Sequence, residues 1–439
     1  MSERGPSVDA TPPSRVLIRG GRVVGPAGEQ GADVAVADGR IAAVGLDLTP
    51  RKGDLVLDAG GCLVLPGLVD LHAHLRQPGR EEAETVETGA RAAALGGYTC
   101  VVAMPNTDPP VDSAGVAREV LDLGRGACCD VRTAAAITAG RRGERLAPMA
   151  ELAALGVRLF TDDGDGVQDA RLMRRAMEYA RGLDVTLAQH CEDAALAADG
   201  HMHEGAVSSR LGIPGQPAEA EELMVMRDIA LARLTGARLH FQHLSTQGSI
   251  AMVRAAKAGG LPITCEATPH HFTLTDEACV GYDPVFKVNP PLRPEADRSA
   301  VRAGLRDGSI DCIATDHAPH AQEEKERPFD EAPPGMLGLE TALALALTHL
   351  ELTPSALVQA MAARPAAIAG VDDAHGGPVA EGRPANLCVV DPSATWVVRP
   401  EALASRSRNT PYAGMELTGA VRHTLLWGEP VVRDGEAQR

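Results

Sequence analysis

Between about residue 65 and residue 320 the chain alternates short apolar runs with longer segments in which apolar residues recur every three or four positions. The runs fall near 67–72, 99–104, 131–137, 157–162, 185–190, 238–243, 262–267 and 310–315, and each has the length of a strand buried on both faces. Most of the segments between them are rich in alanine and leucine at helical spacing, for example Glu84 to Leu95, Val167 to Arg181, Ala218 to Thr235 and Gln247 to Ala258. Eight such strand–helix units are the count of a (β/α)8 barrel. The flanks read differently. Arg15 to Ile18, Val23 to Val24, Asp33 to Val36, Ile41 to Val44 and Leu55 to Asp58 are short β-type runs separated by glycine turns such as Asp38-Gly39, the pattern of antiparallel strands. This texture returns after about Gly382, in Ala385 to Val390, Thr395 to Val398, Val421 to Trp427 and Glu429 to Arg433. The predicted fold class is therefore α/β, a TIM (β/α)8 barrel over 66–382. Residues 14–65 and 383–439 form a small β-sandwich domain from both termini, preceded by a disordered tail at 1–13.

Composition fits this layout and narrows the function. The 439 residues, 44% of them hydrophobic, suit a barrel of about 250 residues with an accessory domain. A formal net charge of −17, from 59 acidic and 42 basic residues, argues against attraction to nucleic acid or anionic lipid. Any anionic substrate must be held by local positive groups. The nine cysteines include no CxxC spacing, which points to reduced thiols and a cytoplasmic protein. The polar start MSERGPSVDATPPSR lacks the apolar core of a signal peptide, and the run Leu339 to Leu350 is too short and interrupted to cross a bilayer.

The candidate chemistry centres on Gly67 to Arg76, where His72 and His74 follow an apolar run. Residues i and i+2 of a strand share a face, so the two imidazoles can chelate one borderline divalent ion such as zinc. On its own a His-x-His pair is weak evidence. In a barrel, however, residues at the C-terminal strand ends converge on one mouth. His72 and His74 close strand 1, Asn106 follows strand 2, Asp162 and Asp163 follow strand 4, His190 ends strand 5, His243 ends strand 6 and Asp316 ends strand 8. Burying so many ionisable groups together is costly unless a cation offsets them.

Eight motifs carry a resemblance that covers nearly the whole chain: PGLVDLHAHLRQPG (66–79), GGYTCVVAMPNTDPPVD (96–112), LFTDDGDGVQ (159–168), QHCED (189–193), LHFQHLST (239–246), TCEATPHHF (264–272), KVNPPLR (287–293) and IATDHAPH (313–320). In combination the sequence resembles dihydroorotases of the bacterial class I type, within the amidohydrolase superfamily. The resemblance implies a zinc-dependent cyclic amidohydrolase that interconverts dihydroorotate and carbamoyl aspartate in pyrimidine synthesis. It implies metal ligands at His72, His74, Asp163, His190, His243 and Asp316, holding one zinc ion or, as expected here, two. Substrate contacts carry over to His74, Arg76, Asn106, Asn289, His320, Pro334 and Gly335. Asp316 becomes the general base and then acid, and Arg76 with Asn106 suits capture of the substrate carboxylate. Read without the resemblance, Arg76 is equally well a surface ion pair. A homo-oligomer is implied, with aspartate carbamoyltransferase as a possible partner.

Two departures stand out. The segment 156–163 holds no lysine of the kind that some superfamily members carboxylate to bridge two metals, so Asp163 is the expected metal contact. Asp162 remains the alternative, otherwise a turn residue. Where the family commonly has Pro-Phe-Gly, this chain reads Pro333-Pro334-Gly335, and a proline there removes a backbone donor. Among the other histidines, His270 and His271 are read as neighbours on a strand that point apart, with supporting roles. His317 is expected to point away from the mouth, and His201 and His203 lie in a polar, loop-like stretch. The charge run Glu323 to Arg327 is most simply a solvated loop, or part of a lid. Two other readings stay open: a hydantoinase, dihydropyrimidinase or allantoinase, and a non-catalytic scaffold for aspartate carbamoyltransferase.

Overall fold

A computed structural model describes residues 15–25 and 28–439; the tail expected at 1–13 lies outside the described residues. The eight expected strands are present and form a ring. Leu68–Ala73, Tyr98–Ala103 and Asp130–Thr133 pair in parallel in that order. Leu159–Phe160, Thr186–Gln189, Leu239–Phe241, Ile263–Ala267 and Cys312–Ile313 form a second parallel sheet in sequence order. Single parallel bridges, Ala135 to Phe160 and Ala73 to His317, join the two sheets at both edges and close the barrel. Strands 1 and 2 are buried at every residue, which is why they read as unbroken apolar runs.

Strands 4 and 8 are shorter than their apolar runs. At Asp162 and Thr315 the chain leaves the ladder and satisfies its polar groups through side chains instead. The Asp162 carboxylate accepts from the Ile137 and Thr138 amides at 2.9 and 3.0 Å, and the Thr315 amide donates to Asp70 at 2.9 Å. Expected helix ends shift for similar reasons. The first helix is Val86–Leu95, because Thr85 caps it in a reciprocal pair with Thr88, leaving Glu84 outside the helix and buried. Asp169 caps Ala170–Leu183, whereas Gln247–Ala258, capped by Thr246, keeps its expected bounds. Helix Glu219–Thr235 carries three acidic residues in its first turn and ends at Gly236 in the left-handed region.

The β-sandwich domain is one nine-stranded sheet built from both ends of the chain. Val16–Gly25, Gly28–Ala37, Arg40–Gly45, Leu55–Asp58 and Leu63–Pro66 come from the N-terminal side. Leu387–Val397, Glu416–Leu426, Glu429–Arg433 and Glu436–Ala437 come from the other. The seam is the antiparallel pairing of Leu63–Pro66 with Leu387–Val397. Asp38 and Gly39 both have positive φ (51° and 73°) and close the hairpin as their sequence suggests. Two strands expected at 385–390 and 395–398 are one strand, irregular between Asp391 and Thr395, where Pro392 cannot donate to a ladder. Val64 joins the sandwich core with Val16, Val34, Leu387 and Leu425, whereas Leu63 and Leu65 join the barrel core. Alternation along one strand thus welds the two cores. Among the described residues no helix is long and apolar enough to cross a membrane.

Candidate active site

The strand-end residues meet in one place. His72 and His74 project from strand 1 with ring centroids 5.2 Å apart, and the His243 ring lies 5.2 Å from that of His72. The tautomers of the first pair are set from behind. His72 donates from Nδ1 to Glu266 Oε1 at 2.8 Å, and His74 from Nδ1 to Asn106 Oδ1 at 2.9 Å. Both Nε2 lone pairs therefore face forward, towards carboxylates. His72 Nε2 lies 3.3 Å from Asp163 and 3.5 Å from Asp316. His74 Nε2 lies 3.6 and 3.0 Å from the same two residues. On the other side of Asp163, His190 Nδ1 and His243 Nε2 are 3.0 Å apart and lie 3.9 and 3.6 Å from the carboxylate.

Two groups of potential ligands thus share Asp163: His72, His74 and Asp163, and Asp163, His190 and His243. Every member is buried. Among the described residues, His72 Nε2, His190 Nε2 and His243 Nδ1 have no hydrogen-bond partner. Lone pairs turned towards carboxylates in a buried mouth cost several kcal/mol per charge, roughly, unless a cation lies between them. Burial opposes charge on these groups. Even so, His72, with His243 and His74, holds Asp163 well below the usual carboxylate range, and Asp163 and Asp316 raise His72 well above the usual histidine. The donor set of imidazole and carboxylate fits zinc or a similar ion. Asp162 is turned away into its amide and Thr138 contacts.

A cavity of about 190 Å³ opens above these residues, lined by His74, Arg76, Asn106, Asp163, His190, His243, Asn289, Asp316, His320, Pro334 and Gly335, among others. Of the site residues expected from sequence, only His72 is not in its lining; it lies beneath. A larger cavity of about 520 Å³ lies by Arg158, Thr186, Leu239 and Ile263, at the N-terminal ends of the strands, and contains none of this chemistry. The backbone at Arg76, His243 and Asp316 has positive φ (61°, 32° and 46°). Such positions are held by their surroundings and cluster at functional sites.

Arg76 is buried at 8% exposure, not a surface ion pair. Its Nε donates to the Pro319 carbonyl at 2.9 Å and its Nη2 lies 3.3 Å from His320 Nε2. Among the described residues no carboxylate forms an ion pair with it. Burial, with Arg80 nearby, lowers it only to about 10, so it stays charged at neutral pH. Burial also pulls His320 down to about 4, against the pull of Glu324. Pro334 offers its carbonyl to His320 Nε2 at 2.9 Å. The Gly335 amide is committed to the Lys287 carbonyl at 2.9 Å, and a Cβ at Gly335 would lie 2.7 Å from His320 Nε2, so only glycine fits.

Some readings need correction. His270 and His271 lie on the short helix Pro269–Thr273, not on a strand, because Thr268 caps the turn and proline opens it. Their rings are 4.5 Å apart and buried together. The charge run at 323–327 is not simply solvated: Glu324 and Lys325 turn back onto the mouth of the site. His317 does point away, towards Glu84 at 3.3 Å. His203 lies on the two-residue strand Met202–His203 and contacts Arg293 at 3.0 Å.

Sequence reasoning missed three carboxylates. Glu266 accepts from His72 and, at 3.0 Å, from His240. Glu192 accepts from Asn289 and Gln216, both at 2.7 Å, and lies 3.7 Å from His190 Nε2. Asp70 holds Thr315 beside Asp316. The available signal was an acidic residue inside an otherwise apolar strand, or two places beyond a strand-end histidine.

Comparison with known proteins agrees with this geometry. Residues 61–249 match the family model described as dihydro-orotase-like. The chain is 48% identical to the dihydroorotase of Pelotomaculum thermopropionicum over 426 residues, 96% of this chain and 99% of that one. It is 49% identical to the Mycobacterium tuberculosis dihydroorotase over 430 residues, with 96% and 99% covered. In fold it is similar to the L-hydantoinase (dihydropyrimidinase) of Arthrobacter aurescens, with a TM-score of 0.87 at 25% identity and 97% of each chain covered. The Brevibacillus agri dihydropyrimidinase gives a TM-score of 0.84 at 23% identity, covering 97% of this chain and 96% of that one. Near-full-length identity to the first group, on a barrel shared with the second, makes this chain a member of the dihydroorotase family of cyclic amide hydrolases.

Proposed function

We propose that this chain hydrolyses (S)-dihydroorotate reversibly to N-carbamoyl-L-aspartate in de novo pyrimidine biosynthesis, using zinc held by His72, His74, Asp163, His190, His243 and Asp316. The observation that carries the substrate is Arg76, a buried guanidinium with no carboxylate partner among the described residues, opening into the same cavity as the two ligand groups. An unpaired buried arginine is costly, and a substrate carboxylate relieves that cost with a bidentate pair. Asn106, fixed by its contact with His74, lines the same cavity and carries its amide nitrogen 3.5 Å from Asp163. His320 backs Arg76.

Bound zinc would supply the positive charge that acidifies water and polarises the substrate carbonyl. The two ligand groups, His72 and His74 with Asp163 and His190 and His243 with Asp163, would hold that zinc. Asp316 takes the proton from the attacking water and returns it to the ring nitrogen as the carbon–nitrogen bond breaks. Its carboxylate lies 3.0 Å from His74 and, despite burial, is held below the usual carboxylate range by His72 and His74, so it is ionised at neutral pH, the form a general base requires. The same proposal includes a cytoplasmic homo-oligomer.

The test is turnover by the purified chain with its metal content measured in the same sample. Dihydroorotate hydrolysis and carbamoyl aspartate cyclisation, with one or two zinc ions per chain, are expected. Turnover of dihydrouracil or hydantoin in place of dihydroorotate would assign the chain to the hydantoinase reading. Bound metal without turnover would favour a scaffold.

A further inference from the structure

The short helix Gln322–Lys325 lies in the connection after strand 8, and its last two residues reach in different directions. Glu324 accepts from Arg80 Nη2 at 2.8 Å through both oxygens and lies 3.2 Å from His320 Nδ1. This ties the helix to the connection that follows strand 1. Lys325 extends its ammonium to three backbone carbonyls: Pro284 at 3.0 Å, Lys287 at 3.4 Å and Pro333 at 2.8 Å. An ammonium has three N–H groups, so in the charged form every donor has an acceptor; burial, with Lys287 nearby, lowers Lys325 to about 7, and no carboxylate among the described residues pairs with it.

Those carbonyls belong to the two segments that form one wall of the cavity. Pro284 and Lys287 lead into Val288 and Asn289, and Pro333 leads into Pro334 and Gly335. Both segments are poor in backbone donors, because neither Pro284, Pro333 nor Pro334 has an N–H. Among the described residues one direct backbone bond joins them, from the Gly335 amide to the Lys287 carbonyl. Without Lys325 the Pro333 carbonyl would lose its donor, the Pro284 carbonyl would keep only the Lys287 amide of its own segment at 3.0 Å, and the remaining ties would be the Gly335–Lys287 backbone bond and Lys287 Nζ on the Asp330 carbonyl at 2.9 Å.

We propose that Lys325 is a positioning residue whose ammonium clamps the segment ending at Asn289 to the Pro333–Gly335 loop and so fixes the width of the substrate cavity. This rests on the substrate reading above. Lys325 touches none of the metal-type ligands and reaches the cavity lining only through the Pro333 carbonyl, so its loss acts on substrate fit and not on metal capture.

Lys325→Met keeps the stem and removes all three donors, and Lys325→Arg restores a multidonor cation. Steady-state kinetics on dihydroorotate and on dihydrouracil, with metal content and melting temperature measured in the same samples, test the assignment. For Lys325→Met, KM is expected to rise about tenfold or more while kcat changes less than about threefold. Metal content stays at the wild-type level, and Lys325→Arg recovers part of the lost KM. An unchanged KM in a folded, metal-loaded Lys325→Met overturns the clamp, and so does parallel loss of kcat and metal. If that variant does not fold, Lys325→Gln carries the same expectation and the same overturning results. Should wild type process dihydrouracil and not dihydroorotate, the substrate reading fails, and the KM comparison on dihydrouracil still judges Lys325.

Discussion

At the scale of single residues, the site separates the groups that hold charge in place from the groups that read the substrate. Arg76 stands outside the histidine–carboxylate cluster and, among the described residues, pairs with no carboxylate. Arg76→Met should therefore leave metal content near wild type. Hydrogen bonds to charged groups are worth about 1.5–3 kcal/mol each, so losing a bidentate pair should lower kcat/KM for dihydroorotate about 10²-fold or more. Hydrolysis of dihydrouracil, which lacks the carboxylate, should change little; equal effects on both substrates would remove Arg76 from this role. Asp316→Asn keeps a hydrogen-bonding group but cannot carry the proton. We expect kcat to fall about 10²-fold or more with a much smaller change in KM, and a variant with wild-type kcat would move the base elsewhere. Positions such as His72 and Asp316 were legible because strand-end polar residues in a barrel have one direction to face. Glu266 and Glu192 were not, because the sequence does not show which imidazole nitrogen needs an acceptor behind it.

At the scale of elements, the barrel strands were legible from their apolar runs, but the strap at 404–409 was not. It contains no periodic pattern, and its partners lie far away in sequence. The Ala404 amide donates to Glu340 at 2.9 Å, the Arg406 amide to Glu84 at 3.0 Å, and Ser407 Oγ to the Ala83 carbonyl at 2.7 Å. Asn409 then bonds the Ala318 and Gly335 carbonyls at 2.9 and 3.1 Å and accepts from the His320 amide at 3.2 Å. Burial, with Glu84 nearby, pushes the Glu340 carboxyl up from 4.5 to about 7 against its two amide bonds. Its proton affinity is higher folded than unfolded. The native state therefore binds more protons between about pH 4.5 and pH 7, and stability falls as pH rises through that window. Glu340 is partly exposed, so the effect should be about 1–2 kcal/mol. Glu340→Gln, which cannot ionise, should melt higher than wild type at pH 8 by more than it does at pH 5. Equal differences at the two pH values would show that Glu340 does not titrate in this range.

At the scale of the whole molecule, the exposed side of helix Glu219–Thr235 carries Leu223, Met226 and Leu234 at 44, 53 and 62% exposure. Large apolar side chains sharing one exposed helix face mark contact surfaces. The proposed self-association should use this face. Met226→Glu with Leu234→Glu is expected to yield a smaller species by light scattering with kcat unchanged, and an unaltered mass would place the interface elsewhere. The strap has a further consequence, for biosynthesis. All the metal-type ligands and Arg76 have been made once residue 316 leaves the ribosome, yet the amide that pins His320 and Gly335 comes from Asn409. The strands that complete the sheet from Leu63–Pro66 come later than residue 386. A nascent chain stopped at about residue 380 therefore holds the complete ligand set but lacks the strap and the second half of the sheet. Translation must therefore pass residue 409 before the mouth of the barrel acquires its final shape.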